Sequence, residues 1–310
     1  MRILVIGAGA TGGYFGGRLL EHGRDVTFLV RDKRAATLAR TGLVIHSPAG
    51  NATLPAPPTV LACDLNTPYD LILLSCKAYG LEAAMKDFAA AVGPQTTILP
   101  VLNGMRHLDL LDQRFGAAHV LGGRCMIAAT LDEHGGVQHL NQMHALTFGE
   151  RDGSSSRRMQ AIAETLSDAG FEARASSTIL QDMWDKWIFL ATLAGITCLM
   201  RAPVGDIVAA PDGVAATLAL LDDCCAVAAR AGHAPSDTTL QRARGVLTEA
   251  GSALTASMLR DLQGGHAIEA DHVVGDMLAR ADSPQNERSV LSIVYAHLKA
   301  YEVGRTRAQQ

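Results

Sequence analysis

Arg2-Ile3-Leu4-Val5-Ile6-Gly7-Ala8-Gly9-Ala10-Thr11-Gly12 opens the chain, and its reading decides the fold. Residues 2–6 have strand length and strand composition, and they run directly into glycines spaced Gly-x-Gly-x-x-Gly. Residues 12–22 then repeat apolar side chains at helical intervals. A strand, a glycine turn and a helix in that order form the context in which a dinucleotide-binding turn works. Gly7 permits the tight turn, Gly9 lets the backbone approach a pyrophosphate, and Gly12 lets the helix lie close on the strand. The amides at the helix start then face the anion.

Outward from this unit, the first half of the chain repeats it. Residues 25–30, 69–75 and 96–101 read as strands, and 33–40 and 81–91 read as helices. This β-α-β alternation predicts an α/β fold, a Rossmann-type doubly wound sheet with parallel strands at its centre. Residues 42–61, rich in Pro and Gly, are expected to form a hairpin or an irregular crossover. Two extended runs within 119–148, around Asp132-Glu133-His134-Gly135-Gly136, predict an antiparallel hairpin at the edge of the same sheet. A helix at 155–169 and a short strand at 171–174 close this half. Beyond Ser176 strand patterns cease, and Pro203, Pro211, Pro235 and Pro284 divide helical segments. The expected division is a dinucleotide-binding domain at 1–177 and an all-α domain at 178–310, with 304–310 fraying.

Composition agrees with two domains. The chain has 310 residues, 48% hydrophobic and 19% charged, enough for two cores of roughly 150 residues each. Lys and Arg number 27 against 31 Asp and Glu, a net charge of -4, which leaves no excess of cations for a nucleic acid backbone. Six cysteines (63, 76, 125, 198, 224 and 225) include no C-x-x-C pair, and no histidines fall at metal-ligand spacing. Reduced thiols, no metal and a cytoplasmic location are the expectation. Met1-Arg2 followed by a short apolar run into glycines is not a signal-peptide pattern. The apolar stretch 187–200, bracketed by Lys186 and Arg201, falls short of the roughly twenty residues a membrane span needs and reads as a buried helix. An apolar helical half of this size could present a face to a second copy, as in a homodimer.

The choice of cofactor rests on the end of the second predicted strand, Leu29-Val30-Arg31-Asp32. An acid there binds the ribose 2′-hydroxyl of NAD, and a cation accommodates the 2′-phosphate of NADP. Spacing leaves Arg31 and Asp32 both open. Arg31 comes first, and its planar fork suits a phosphate. Lys77 supplies a second cation at the end of another strand, and two cations on one rim favour NADP.

The 7–12 turn, Arg31, Cys76-Lys77-Ala78-Tyr79, Asn103-Gly104-Met105, Trp184-Asp185-Lys186, Ser257-Met258-Leu259-Arg260-Asp261 and Glu269 together resemble, in order and spacing, the ketopantoate reductase family. The resemblance covers nearly the whole chain. It implies a Rossmann domain joined to a helical domain, an active site in the cleft between them, and NADPH-dependent reduction of a 2-oxo acid. In the family that substrate is ketopantoate (2-dehydropantoate), reduced to pantoate on the way to coenzyme A. Carried over by position, Gly7, Ala8, Gly9, Ala10, Thr11, Gly12, Arg31 and Lys77 would contact the cofactor, and Ala128 would offer it backbone. Asn103 would stand between nicotinamide ribose and substrate, Lys186 would be the catalytic lysine and Ser257 a ligand of the substrate carboxylate. Glu269 would complete the site near the nicotinamide.

The chemistry agrees with these roles. Hydride transfer to a ketone carbon builds negative charge on its oxygen, which calls for a cation able to deliver a proton. Lys186 is such a group, and Glu269 would hold its ammonium or bind the product hydroxyl. One feature departs from the resemblance: family members carry Asn four and eight residues after the lysine, and this chain has Leu190 and Ala194. Steps of four advance about 40° around a helix, so Lys186, Leu190, Ala194 and Thr197 share one broad face. A missing amide leaves a buried polar group of the substrate unpaired at about 1–3 kcal/mol. That points to a 2-oxo acid with a more hydrophobic tail. Two other readings are a related dehydrogenase with another substrate and a redox sensor that binds NADP without turnover, against which the retained lysine argues.

Overall fold

The computed structural model describes residues 1–281 and 289–308. The chain forms two compact units, one made of Met1–Leu102 with His107–Leu180 and the other of Asn103–Arg106 with Gln181–Gln310. Up to residue 175 it runs β1 (Arg2–Ile6), α1 (Ala10–Glu21), β2 (Asp25–Leu29), α2 (Asp32–Thr41), β3 (Leu43–His46), β4 (Ala52–Leu54), β5 (Thr59–Val60), β6 (Leu71–Leu74), α3 (Leu81–Asp87) and β7 (Thr97–Pro100). There follow α4 (Arg106–Phe115), β8 (Gly122–Leu131), β9 (Val137–Gly149), α5 (Arg157–Leu166) and β10 (Glu172–Ala175).

Five of these strands make a parallel sheet in the order β5-β2-β1-β6-β7. The central strands are apolar on both faces, with Ile3, Leu4, Val5, Leu71 and Ile72 fully buried, as parallel strands covered on two sides require. Each such side chain contributes about 1.5–3 kcal/mol by leaving water. The sheet is the doubly wound one read from the alternation.

The same unit holds a second sheet that the strand and helix patterns do not announce. β3 and β4 form the expected hairpin, but they join β9, β8 and β10 rather than the parallel sheet, in the order β10-β9-β3-β4 with β8 on β9. The 119–148 hairpin is therefore not an edge of the parallel sheet. The reason lies at Pro100. Leu121 donates to the Ile98 carbonyl and Val120 makes one parallel bridge to Ile98. The next donor on that edge of β7 would be residue 100, and a proline has no N–H to continue the ladder. The chain leaves the sheet there. Gly123 then crosses Pro100 so closely that a Cβ would lie 2.1 Å from its carbonyl oxygen.

α1 is packed between the two sheets, and its glycines divide the work. A Cβ at Gly16 would meet the Phe28 ring at 2.6 Å on the parallel sheet, and one at Gly17 would meet Ile45 at 2.7 Å on the second sheet. The expected helix at 81–91 is shorter than its pattern. It stops at Asp87, Phe88 turns fully inward, and 89–91 form a 3₁₀ turn whose Ala91 carbonyl accepts from Tyr69 N.

The remainder is helical: α6 (Ile179–Met200), α7 (Val204–Ala209), α8 (Gly213–Arg230), α9 (Asp237–Leu247), α10 (Ser257–Gln263), a π-helical turn at Asp271–Gly275, α11 (Asp276–Ala279) and α12 (Val290–Ala308). Pro203 caps the start of α7, and Pro211 and Pro235 separate helices as expected; Pro284 lies outside the described residues. Residues 304–308 continue α12 rather than fray, and 309–310 lie outside the described residues. α6 forms the core of this unit. Gly195 lets α8 and α12 close on it, since a Cβ there would lie 2.8 Å from Leu220 and 3.1 Å from Val294. Among the described residues α6 is the one helix long and apolar enough to cross a membrane, and 67% of its apolar window is buried inside the protein.

Candidate active site

The carboxyl ends of β1, β2 and β6 open onto a cavity of about 680 Å³, the rim on which parallel α/β sheets bind ligands. Gly7, Ala8, Gly9, Arg31 and Lys77 all line it. Gly7 adopts φ +86°, a conformation that only glycine takes without cost, and its N–H donates to the Leu29 carbonyl at 2.9 Å. Gly9 caps α1 with open space where a Cβ would stand, so its backbone is presented bare. Ala10, Thr11 and Gly12 form the first turn of α1. Gly12 serves packing, because a Cβ there would lie 2.2 Å from the Gly7 carbonyl and 2.3 Å from Ser75 Oγ. Ser75 in turn donates to the Ile6 carbonyl at 3.0 Å and joins the ends of β6 and β1.

Arg31 is the N-cap of α2 and Lys77 follows β6 at the start of a 3₁₀ turn; both are exposed. Asp32 lines the same cavity, as do Cys63 and Cys76. None of the six cysteines is in a disulfide. Arg34 also lines it and was not singled out from the sequence. The signal was present: Arg31 and Arg34 stand three apart at the start of a helix and so share a face. Burial pulls the Arg34 guanidinium below its ordinary value, with Asp132 opposing.

Ala128 does not line this cavity. It sits in a break of the β8–β9 register between Ile127 and Ala129, and its N–H donates to Asn141 Oδ1 at 3.2 Å. A bulge of this kind turns a backbone group out of the ladder.

A second constellation forms within the helical unit. Lys186 Nζ donates to Asn103 Oδ1 at 2.9 Å, so two groups 83 positions apart meet directly. Sequence alone assigned Asn103 to the first half of the chain, yet 103–106 pack with the helices. The π-helical turn is the reason. Gly104, at φ +79°, lies so close to it that a Cβ would sit 2.6 Å from the His272 carbonyl. The indole of Trp187, next to the lysine, donates from Nε1 to the Val273 carbonyl at 2.8 Å in a fully buried contact. The strap carrying Asn103 and the helix carrying Lys186 thus rest on one turn.

Glu269 reaches the same turn through backbone, its carbonyl accepting from Val273 N at 3.0 Å. Its charge also bears on His272, whose pKa burial pushes down while Glu269 opposes and Arg106 reinforces. Asp271 ties the turn to α12 by accepting from Tyr295 Oη at 2.7 Å and from Lys299 Nζ at 2.9 Å. Ser257 is exposed at the first position of α10. Along the lysine face of α6, Leu190 is half-buried, Ala194 is buried, and Thr197 is fully buried with its hydroxyl donated to the Leu193 carbonyl.

Comparison with known proteins adds the following. Residues 3–153 match the family model described as ketopantoate reductase PanE/ApbA, and residues 178–302 match the model of its C terminal part. The chain is 38% identical over 303 residues, 97% of its own length and 99% of the relative's, to the Bacillus subtilis (strain 168) protein named uncharacterized oxidoreductase YkpB. It is 28% identical over 281 residues, 91% of each chain, to 2-dehydropantoate 2-reductase of Archaeoglobus fulgidus. Among solved structures, 2-dehydropantoate 2-reductase from Geobacter metallireducens GS-15 superposes with a TM-score of 0.87 at 25% identity, covering 97% of this chain and 99% of that one.

Proposed function

The chain belongs to the ketopantoate reductase family of oxidoreductases, and from that premise we propose that it uses NADPH to reduce a 2-oxo acid to a 2-hydroxy acid, with ketopantoate the first substrate to test. The observation that carries this reading is the Lys186–Asn103 hydrogen bond. The partner that holds the ammonium is a neutral amide, so its charge is left to answer the negative charge that builds on a carbonyl oxygen during reduction.

The cavity's residues fit the cofactor. Bare backbone at Gly9, a left-handed Gly7 and two exposed cations, Arg31 and Lys77, suit a dinucleotide with an extra phosphate. NADPH, when bound, supplies the hydride. Gly7 to Gly9 would hold its pyrophosphate, and Arg31 and Lys77 its 2′-phosphate. Asn103 orients Lys186, whose Nζ would donate to the substrate carbonyl oxygen and pass it a proton as the alcohol forms. Ser257 would bind the substrate carboxylate, and Glu269 would steady the ammonium or the product hydroxyl.

Replacing Arg31 by Ala tests the cofactor assignment. NADPH affinity is expected to fall by tenfold or more, in the range of about 1.5–3 kcal/mol for a charge-assisted contact, with NADH affinity nearly unchanged. Equal losses for the two nucleotides would remove Arg31 from phosphate recognition.

One observation favours a second reading of the substrate. The face of α6 beyond Lys186 offers Leu190 and Ala194, and Thr197 spends its hydroxyl on its own helix. An apolar tail suits that face better than the hydroxylated tail of ketopantoate. A steady-state panel separates the two: higher kcat/KM for 2-oxo acids with branched or aromatic tails supports the apolar substrate, and a preference for ketopantoate refutes it.

A further inference from the structure

The glycine turn and the tip of the β8–β9 hairpin are remote in sequence, and one side chain holds both. Arg34 donates through Nε to the Ala8 carbonyl and through Nη1 to the Gly135 carbonyl, each at 2.9 Å. Ala8 lines the cavity, whereas Gly135 does not. We propose that Arg34 is a positioning residue for the dinucleotide, a clasp that fastens the glycine turn to the hairpin tip, so that the second sheet sets the shape of the phosphate-binding backbone. The proposal rests on reading the cavity as a dinucleotide site.

The turn needs such a fastening. Three of its six residues are glycines, whose backbone freedom is the hardest to restrain, and α1 has no side-chain cap at Gly9. Ala8 is 2% exposed, so its carbonyl depends on a partner from the protein. At the other end the hairpin tip is a firm anchor. The Asp132 carboxylate accepts from His134 N, Gly136 N and Gln138 Nε2 at 2.8–2.9 Å, and Asp132 N donates to the Gly136 carbonyl. Leu131, next to the tip, itself lines the cavity, so wall and anchor are continuous.

Two details mark Arg34 as a clasp rather than a phosphate ligand. Its remaining nitrogen, Nη2, is buried without a hydrogen-bond partner, so the Ala8 and Gly135 carbonyls take the hydrogen bonds that the guanidinium makes. Gly135 is shaped to admit the guanidinium: it adopts φ +84°, and a Cβ there would lie 2.5 Å from Nη1. A side chain at position 135, outside the cavity, would thus press on the guanidinium.

The test is fluorescence titration of NADPH and NADH into the full-length protein, its Arg34→Lys and Gly135→Ala variants and the double variant, with thermal unfolding to verify that each folds. Each single variant is expected to raise both dissociation constants by the same factor, about tenfold, leaving the NADPH to NADH preference as in the parent. The double variant is expected to lose little more than either single one, because both break one contact. Gly135→Ala acts from outside the cavity and keeps the test valid if Arg34→Lys fails to fold. A selective loss of NADPH would make Arg34 a phosphate ligand and overturn the clasp, as would unchanged binding or fully additive losses. A parent protein that binds neither nucleotide would overturn the dinucleotide reading itself and the clasp with it.

Discussion

Trp187 shows how a residue beside the reacting group shapes it. Its indole is 1% exposed and satisfies the Val273 carbonyl within a turn that also supports Gly104. Replacing Trp187 by Phe keeps the ring and removes the donor, leaving a buried carbonyl unpaired. Stability is expected to drop by about 1–3 kcal/mol in denaturant titration, and kcat to fall further than KM for the nucleotide changes. Unchanged stability would show that the carbonyl finds another partner. At this scale the sequence was informative only where a residue type is unusual for its place. The glycines of the turn could be assigned roles because few other residues tolerate that backbone. Lys186 alone would pass for a surface lysine with its stem packed and its head in water, and Arg34 reads only as a cation three positions after Arg31, because its carbonyl partners at Ala8 and Gly135 are remote in sequence.

Among the elements, α5 carries a well-defined electrostatic cap. Ser156 accepts from Met159 N at the helix start and donates to Glu150 Oε1, which also accepts from Arg158 Nε at 2.6 Å. The Arg158 guanidinium, with Ser156 adding to it, holds the Glu150 carboxyl below the usual glutamate range against the opposing effect of burial. A carboxyl depressed by folding stabilises the fold fully above its ordinary value, about 4.3, and that contribution is lost as pH falls through the depressed value. Glu150→Gln is therefore expected to melt below the parent at neutral pH, with the two Tm values converging as pH falls below about 4. A gap that stays constant with pH would assign the cap's effect to hydrogen bonding alone. Parallel strands were readable because residues 3–6 and 71–74 are apolar throughout and helical patterns follow them. The second sheet was not, because its pairings join residues as distant as Ile45 and Val137, and because the missing N–H of Pro100 diverts the chain.

For the molecule as a whole, the sequence separates cofactor chemistry from substrate chemistry more simply than the fold does. Glycine turn, Arg31 and Lys77 lie in the first unit as their order suggests, whereas Asn103, placed by sequence among the strands, packs with Lys186 in the second. That crossing is a matter of long-range packing on the π-helical turn, which leaves no local pattern to read. The central claim is that Lys186 delivers the proton in NADPH-dependent reduction of a 2-oxo acid. The direct measurement is NADPH oxidation by the parent and by Lys186→Ala over a panel that includes ketopantoate and apolar 2-oxo acids, with NADPH affinity determined separately. The result expected is turnover of at least one 2-oxo acid by the parent and a kcat lower by about 10²–10⁴-fold in the variant, with NADPH affinity unchanged. A variant with near-parental kcat, or a parent that binds NADPH and reduces no 2-oxo acid, would contradict it.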